Sequence, residues 1–323
     1  MKQYKVAIIG NGMICNAAHI PAYKAMGDKV KIVAVADIRE EAAKETAERH
    51  GIPKYYVDPY KMLEEEKPDI ISVCTPNAYH KEYTLAGFRA GCHVVCEKPV
   101  AVTCADAEEM FNAAEKAGKH LFVIQSLRFT GNFKAAAGLA KSGCLGDIYY
   151  ADLNLVRRRG VPRWGMFHMA KENVGGAFCD LGVHMCDYLM SISGNPKMVS
   201  VSGSAVTRIV NKEKNIEFSN AESGAPTGLF TPRKFDMKEF DVEEFANGYI
   251  RLENGMTVTF KISWALNLPN SNTVSICGDK GGLTIGDDGL KLLTTQGNYQ
   301  ADVLPRVFPC LLYTSDAADE GLG

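Results

Sequence analysis

The first 126 residues alternate short, β-branched apolar runs with helical stretches, and this alternation restricts the fold more tightly than any other feature of the sequence. Strand-like runs fall at 5–9, 30–36, 69–74, 93–96 and 120–125, and helical stretches at 13–26, 40–50, 59–66, 80–90 and 105–117. Strands this short and this uniformly apolar bury both faces, which requires a parallel sheet covered by its own crossover helices. The expectation for residues 1–126 is an α/β Rossmann domain with a doubly wound parallel sheet.

The pattern changes from Asp147 onward. Runs at 148–156, 198–206, 246–252, 257–264 and 273–277 alternate or are β-rich, and turns such as Glu253-Asn254-Gly255 separate them. A helix is expected over 177–193, before Gly194-Asn195-Pro196. Residues 127–309 therefore read as an α+β carboxy-terminal domain with a large, mostly antiparallel open sheet and helices on one side. The polar stretch 211–244, with Pro226 and Pro232, reads as an irregular insertion. The stretch from Cys310 to Glu320 resembles one reading frame of a sequencing adaptor. The expectation is that 310–323 are not native and that the second domain is truncated near Pro309.

Composition excludes several classes. The 323 residues carry a formal net charge of −2 and no basic run, which argues against a nucleic-acid or acidic-membrane partner. The apolar run after Tyr4 is too short for a signal peptide, and no segment reaches the roughly 18 apolar residues of a membrane span. The 10 cysteines form no C-x-x-C pair and often sit in apolar runs, as expected for reduced, buried thiols in the cytoplasm. Nothing in their spacing calls for a metal.

The first strand-to-helix turn reads Gly10-Asn11-Gly12-Met13-Ile14-Cys15. Gly10 permits the sharp turn and Gly12 permits close approach to a pyrophosphate. The helix N-terminus behind them offers unpaired N–H groups to that anion, so Met13 and Ile14 fall in the binding turn. Cys15 replaces the usual third glycine or alanine with another small residue. Asp37, at the end of the second strand, is placed to hold ribose hydroxyls, and it is also a candidate N-cap for the next helix. Its charge favours NAD over NADP, although Arg39 keeps NADP open.

Further polar groups fall at the carboxyl ends of later strands, where ligands bind in such sheets: Thr75-Pro76-Asn77 with His80, Glu97-Lys98-Pro99, and Gln125 with Arg128. Gly175-Gly176-Ala177-Phe178-Cys179-Asp180-Leu181-Gly182-Val183-His184 follows in the second half. With these motifs in this order, the sequence from Lys5 to about Gly282 resembles the glucose–fructose oxidoreductase/inositol dehydrogenase/rhizopine-catabolism (Gfo/Idh/MocA) family. The resemblance implies that Lys98, Asp180 and His184 line a substrate site beside the nicotinamide and that the bond before Pro99 is cis. It also places Arg158, Trp164 and their neighbours in 157–165 near a sugar site, and suggests pairing of copies through the second domain's sheet into a dimer or tetramer. Asp241-Val242-Glu243-Glu244-Phe245 and Ser263-Trp264-Ala265 resemble the family as well.

The chemistry asks for these residue types independently. Oxidising an alcohol sends a hydride to the nicotinamide and the hydroxyl proton to a base. His184 titrates nearest neutrality and is the candidate base, with Asp180 one helical turn away to orient it or to hold a substrate hydroxyl. Lys98 is placed to polarise the oxygen and relay a proton. His19, His80 and His168 are further candidates to approach the site, whereas His50 and His120 read as surface or packing residues. The reading is an NAD(P)-dependent dehydrogenase of a sugar, glycoside or polyol, with 3-keto-glycosides among the conceivable products. An NAD-dependent glycosidase of the same fold and a non-catalytic sugar or dinucleotide sensor are the rival readings.

Overall fold

The computed structural model describes residues 2–212, 223–224 and 228–307. The adaptor-like stretch 310–323 and Pro226 lie outside the described residues. The chain divides into two compact units. One comprises the described residues of Met1–Ile124, Pro162–Val174 and Gly224–Asp241, the other those of Gln125–Val161, Gly175–Ser223 and Val242–Gly323. A break near 126 places the two later segments of the first unit in the second by sequence. Hydrogen bonds explain their grouping: Asn77 donates to the Asn173 carbonyl at 3.0 Å, Arg49 donates to the Gly228 carbonyl at 2.6 Å, and the Thr231 N–H donates to Glu45 at 3.2 Å.

In the first unit the strands are β1 (Tyr4–Ile9), β2 (Val30–Ala36), β3 (Tyr55–Tyr56), β4 (Ile70–Val73), β5 (His93–Cys96) and β6 (Leu121–Val123). All pair in parallel, in the order β3-β2-β1-β4-β5-β6. The crossovers are α1 (Ile20–Ala25), α2 (Glu40–His50), α3 (Pro59–Glu66), α4 (His80–Arg89) and α5 (Cys104–Ala117). The central strand shows why the apolar runs need two covers. Ala7 and Ile9 pack into one buried cluster and Val6 and Ile8 into the other. Each buried Val or Ile contributes about 1.5–3 kcal/mol of transfer free energy.

Two sequence expectations are modified. The segment expected to be one helix over 13–26 contains a π turn at Cys15–His19 before α1. Asn16 donates its side-chain amide to the Asn11 and Gly12 carbonyls at 3.1 and 3.0 Å, and this local bonding competes with a regular first turn. Asp37 does not cap α2, whose N-cap is Arg39 without a side-chain bond. Its carboxylate accepts the N–H groups of Asn11 and Arg39 at 2.8 and 2.9 Å.

The second unit carries α6 (Gly131–Lys141), β7 (Ile148–Val156), a π turn Phe178–Gly182 leading into the helix Val183–Ile192, and strands β8 to β14. These strands are β8 (Met198–Val206), β9 (Phe245–Leu252), β10 (Thr257–Ser263), β11 (Ser271–Gly278), β12 (Gly282–Gly286), β13 (Gly289–Gln296) and β14 (Tyr299–Val303). The sheet order is β14-β13-β12-β11-β7-β10-β9-β8, antiparallel except for the central β7–β10 pair. The helix Val183–Ile192 buries Met185, Tyr188, Leu189 and Ile192 along one stripe, and Tyr188 meets Phe133 of α6 edge to face at 4.6 Å. Sequence reading missed β3, α6 and β12–β14. Gly-Asn-Phe-Lys-Ala-Ala-Ala-Gly has little apolar periodicity, and Gly-Leu-Thr-Ile-Gly offers only two large apolar residues.

Candidate active site

In the first unit the dinucleotide-type turn is fixed by packing. Gly10 has φ +90°, and a Cβ there would lie 2.7 Å from the Cys74 carbonyl carbon and oxygen and 2.8 Å from the Thr75 nitrogen. Only glycine lets β1 turn against the end of β4. A Cβ on Gly12, by contrast, would meet nothing within 4 Å. Met13 and Ile14 stand half-buried behind it at the start of the helix. Cys15 is fully buried, and burial pushes its thiol up to about 12, so it packs rather than reacts.

Asp37 anchors this turn through the Asn11 N–H, and the Arg39 Nε lies 3.9 Å from the same carboxylate. Each carboxylate oxygen retains a second lone pair for a ribose hydroxyl. The buried Thr75 hydroxyl and the Asn11 side-chain oxygen have no hydrogen-bond partner in the protein. Buried polar atoms without partners are costly, and a polar ligand relieves that cost. These orphaned atoms, the open face of Gly12 and the helix N-terminus fit an NAD molecule with its pyrophosphate on the turn and its ribose at Asp37.

The loops after β4 and β5 are braced from behind. His80 is fully buried, with Nδ1 2.7 Å from the Pro99 carbonyl and Nε2 3.0 Å from that of Thr75. Burial lowers its pKa, and the neutral ring donates to one carbonyl at a time. His80 therefore supports the backbone of the loops that follow β4 and β5. Pro76 leads into Asn77, whose side-chain amide donates to the Asn173 carbonyl at 3.0 Å. The Lys98–Pro99 bond is cis, as the resemblance implies. Glu97 is buried beside His19 at 2.8 Å. Burial alone would raise its carboxyl, but His19 and Lys98 hold it below the ordinary range.

Trp164 packs edge-on against Phe167 at 5.9 Å in this unit, and its indole N–H has no partner. His168 is fully buried between Phe235 and Phe240, with Nε2 3.7 Å from Glu239, a packing position. His50 lies 3.0 Å from the Asn16 side-chain oxygen, and His120 stacks on His93.

In the second unit the start of the Asp180–His184 segment is held by side-chain contacts. The Glu243 carboxylate accepts the N–H groups of Gly176 and Phe178 at 2.8 and 3.0 Å. A Cβ on Gly176 would fall 1.9 Å from the Glu243 carbonyl oxygen, so this approach requires glycine. Asp180 accepts the indole N–H of the fully buried Trp264 at 3.1 Å. His184 follows one helical turn later, where the π turn has passed into α-helix. Arg157 donates to the Ser223 carbonyl at 3.1 Å, and burial lowers its pKa while Asp180 opposes that shift.

Other sequence candidates in this unit are engaged elsewhere or exposed. Arg128 makes a bidentate pair with Asp187 at 2.7 and 2.6 Å, Arg158 is exposed, and Gln125 is half-buried before the turn containing Arg128. Trp264, Glu243 and Arg157 were named in the sequence only within family-like strings; their support of the Asp180 segment appears in three dimensions.

A parallel sheet of this order with a glycine turn anchored by an acidic residue defines a dinucleotide-binding domain of the Rossmann class. Residues 4–125 match the model of an oxidoreductase family with an NAD-binding Rossmann fold, and residues 133–284 match the Gfo/Idh/MocA C-terminal domain. The chain belongs to the Gfo/Idh/MocA family.

Among its relatives, D-glucoside 3-dehydrogenase of Escherichia coli (strain K12) is 36% identical over 283 residues, covering 87% of this chain and 76% of that protein. Myo-inositol 2-dehydrogenase of Thermotoga maritima is 30% identical over 190 residues, covering 59% of this chain and 55% of that protein. Among solved structures, levoglucosan dehydrogenase in complex with NADH has the same fold, with a TM-score of 0.76 at 21% identity, covering 94% of this chain and 79% of that one. Among the described residues no helix is long and apolar enough to cross a membrane.

Proposed function

We propose that this oxidoreductase oxidises a ring hydroxyl of a glucoside, at carbon 3, to the 3-keto-glucoside. The observation that carries the reading is the 36% identity, over 87% of this chain, to the Escherichia coli D-glucoside 3-dehydrogenase. The presence of Lys98, Asp180 and His184 supports it chemically.

Bound NAD supplies the hydride acceptor. His184 takes the hydroxyl proton as the carbonyl forms. Asp180, itself oriented by the Trp264 N–H, sets the imidazole or holds a neighbouring substrate hydroxyl. Lys98 carries positive charge to the oxygen on which negative charge develops. The fixed Gly176–Glu243 contact keeps the segment from drifting, and misplacement of about 1 Å costs on the order of 100-fold in rate.

The test is NADH formation with NAD and a panel of alkyl glucosides, aldoses and inositols, with the keto product located by NMR. Turnover on glucosides, lost in Lys98→Ala and in His184→Ala, is expected. Bound NAD without NADH, accompanied by release of the aglycone, would replace this reading with a glycosidase.

We also propose that copies associate through the second unit's sheet. Val199 and Val201 on β8 are 66% and 70% exposed, and this supports the idea. Light scattering that returns a monomer mass would refute it.

A further inference from the structure

We infer that His19 and Glu97 form a positioning dyad that ties the dinucleotide turn to the Lys98 loop and holds Lys98 in place for the reaction, an inference that rests on the function proposed above. His19 closes the π turn Cys15–His19, which opens the helix after β1. Glu97 directly follows β5, and β4 lies between the two strands in the sheet. The dyad thus spans the width of one strand. His19 Nε2 lies 2.8 Å from Glu97 Oε1, and both side chains are nearly fully buried. Glu97 is the ionised partner, so Nε2 carries the proton and donates. The other carboxylate oxygen accepts the Lys98 N–H at 3.2 Å, while the Glu97 N–H donates to the Val73 carbonyl at the end of β4.

The contacts form one continuous line. The Gly10 turn sits against Cys74 and Thr75, the π turn delivers His19, His19 fixes Glu97, and Glu97 fixes the backbone of Lys98. His80 supports the same loop from the other side through Pro99. A buried carboxylate–imidazole pair stabilises a fold poorly, since apolar residues of equal volume pack there at less desolvation cost. Its position one residue from Lys98 gives the polar pair a use that packing alone does not. π turns recur where a helix must aim a functional side chain.

The experiment uses the full chain and four variants: His19→Ala, His19→Gln, Glu97→Gln and the double variant His19→Ala/Glu97→Gln. His19→Ala and Glu97→Gln are each expected to lower kcat for glucoside oxidation about 100-fold, with KM for NAD little changed. His19→Gln keeps a donor for the carboxylate and is expected to recover most of that loss. The double variant is expected to be no worse than the poorer single one, because partners that act as a unit are not additive. Full kcat in a less stable His19→Ala, or single losses that multiply in the double variant, overturns the dyad.

A second measurement does not depend on turnover. The rate at which an amine-selective reagent labels Lys98, followed by peptide mass, should change by about threefold or more in Glu97→Gln and His19→Ala, and return in His19→Gln. If wild-type protein oxidises no glucoside, the proposed function fails while the labelling still judges the dyad. An unchanged Lys98 rate in both variants overturns it.

Discussion

Replacing Gly10 or Gly12 with alanine separates two roles that the two glycines play in one turn. At Gly10 the added Cβ meets the Cys74 and Thr75 backbone at 2.7–2.8 Å, and φ is +90°. Forcing an L-residue into positive φ costs about 1–2 kcal/mol, and overpacking against atoms that cannot rotate away costs about 1–3 kcal/mol. The gain from a stiffer unfolded chain offsets only about 0.4–1 kcal/mol. Gly10→Ala is therefore expected to destabilise the first unit by about 1–5 kcal/mol, a large share of the about 5–15 kcal/mol that holds a typical domain folded.

Gly12→Ala meets no atom and keeps its backbone conformation. Its folding free energy should stay within about 0.5 kcal/mol of the parent, as at an unconstrained surface position. Turns of this kind bring a pyrophosphate against the second glycine, so the added methyl group is expected to lower NAD affinity about tenfold or more, or about 1.4 kcal/mol. Guanidinium unfolding followed by circular dichroism, together with NADH fluorescence titration, reads both quantities. Equal destabilisation by the two substitutions, or an unfolding midpoint for Gly10→Ala that matches the parent, would refute the reasoning.

Trp264→Phe keeps the ring but removes the N–H that Asp180 accepts; kcat should fall by about tenfold or more, in line with the about 1.5–3 kcal/mol of a hydrogen bond to a charged group, and steady-state kinetics will show it. Glu97 is held below the ordinary carboxylate range, so its stabilising contribution is complete above the unfolded value of about 4.3 and is lost as pH falls through and below it. Unfolding midpoints measured from neutral pH to about pH 3 should therefore drop less steeply in Glu97→Gln than in the parent. Iodoacetamide at about pH 8 should label the exposed Cys104 and leave Cys15 untouched until the protein is unfolded, as peptide mass mapping will record.

Five of the six strands of the first unit were readable because strands buried on both faces, such as Val6–Ile9, are apolar without interruption, whereas the two-residue β3 was too short to register. The turn at Gly10 was readable for the same local reason. The roles of Asp37 and Asn16 were not, because both depend on which backbone groups come within reach after folding: Asp37 takes the Asn11 N–H instead of capping α2, and Asn16 reshapes the helix start. The contacts of His80 with the Pro99 and Thr75 carbonyls were not readable either, since burial between two carbonyls leaves no mark on sequence spacing. His19 and Glu97 are separated by 78 residues, and no periodicity links them. In the second unit, alternation exposed β7 to β11, while β12 offers only Leu283 and Ile285 between its glycines, too few apolar positions for a pattern to register.

The lone parallel pair at the centre of the second sheet has a bearing on how the chain is made. β7 lies between β10 and β11, and its Tyr150 meets Thr259, 109 residues further along. A ribosome emits β7 long before either neighbour exists. For that interval Ala151 and Leu153, destined for full burial, are open to solvent along with two unpaired backbone edges. The first unit's sheet has no such wait, because each of its strands finds a partner within one crossover. Synthesis of this protein thus passes through a stage in which a finished nucleotide-binding sheet trails an unsealed, adhesive strand, and a nascent chain halted before Ser271 should be the form that chaperones hold longest.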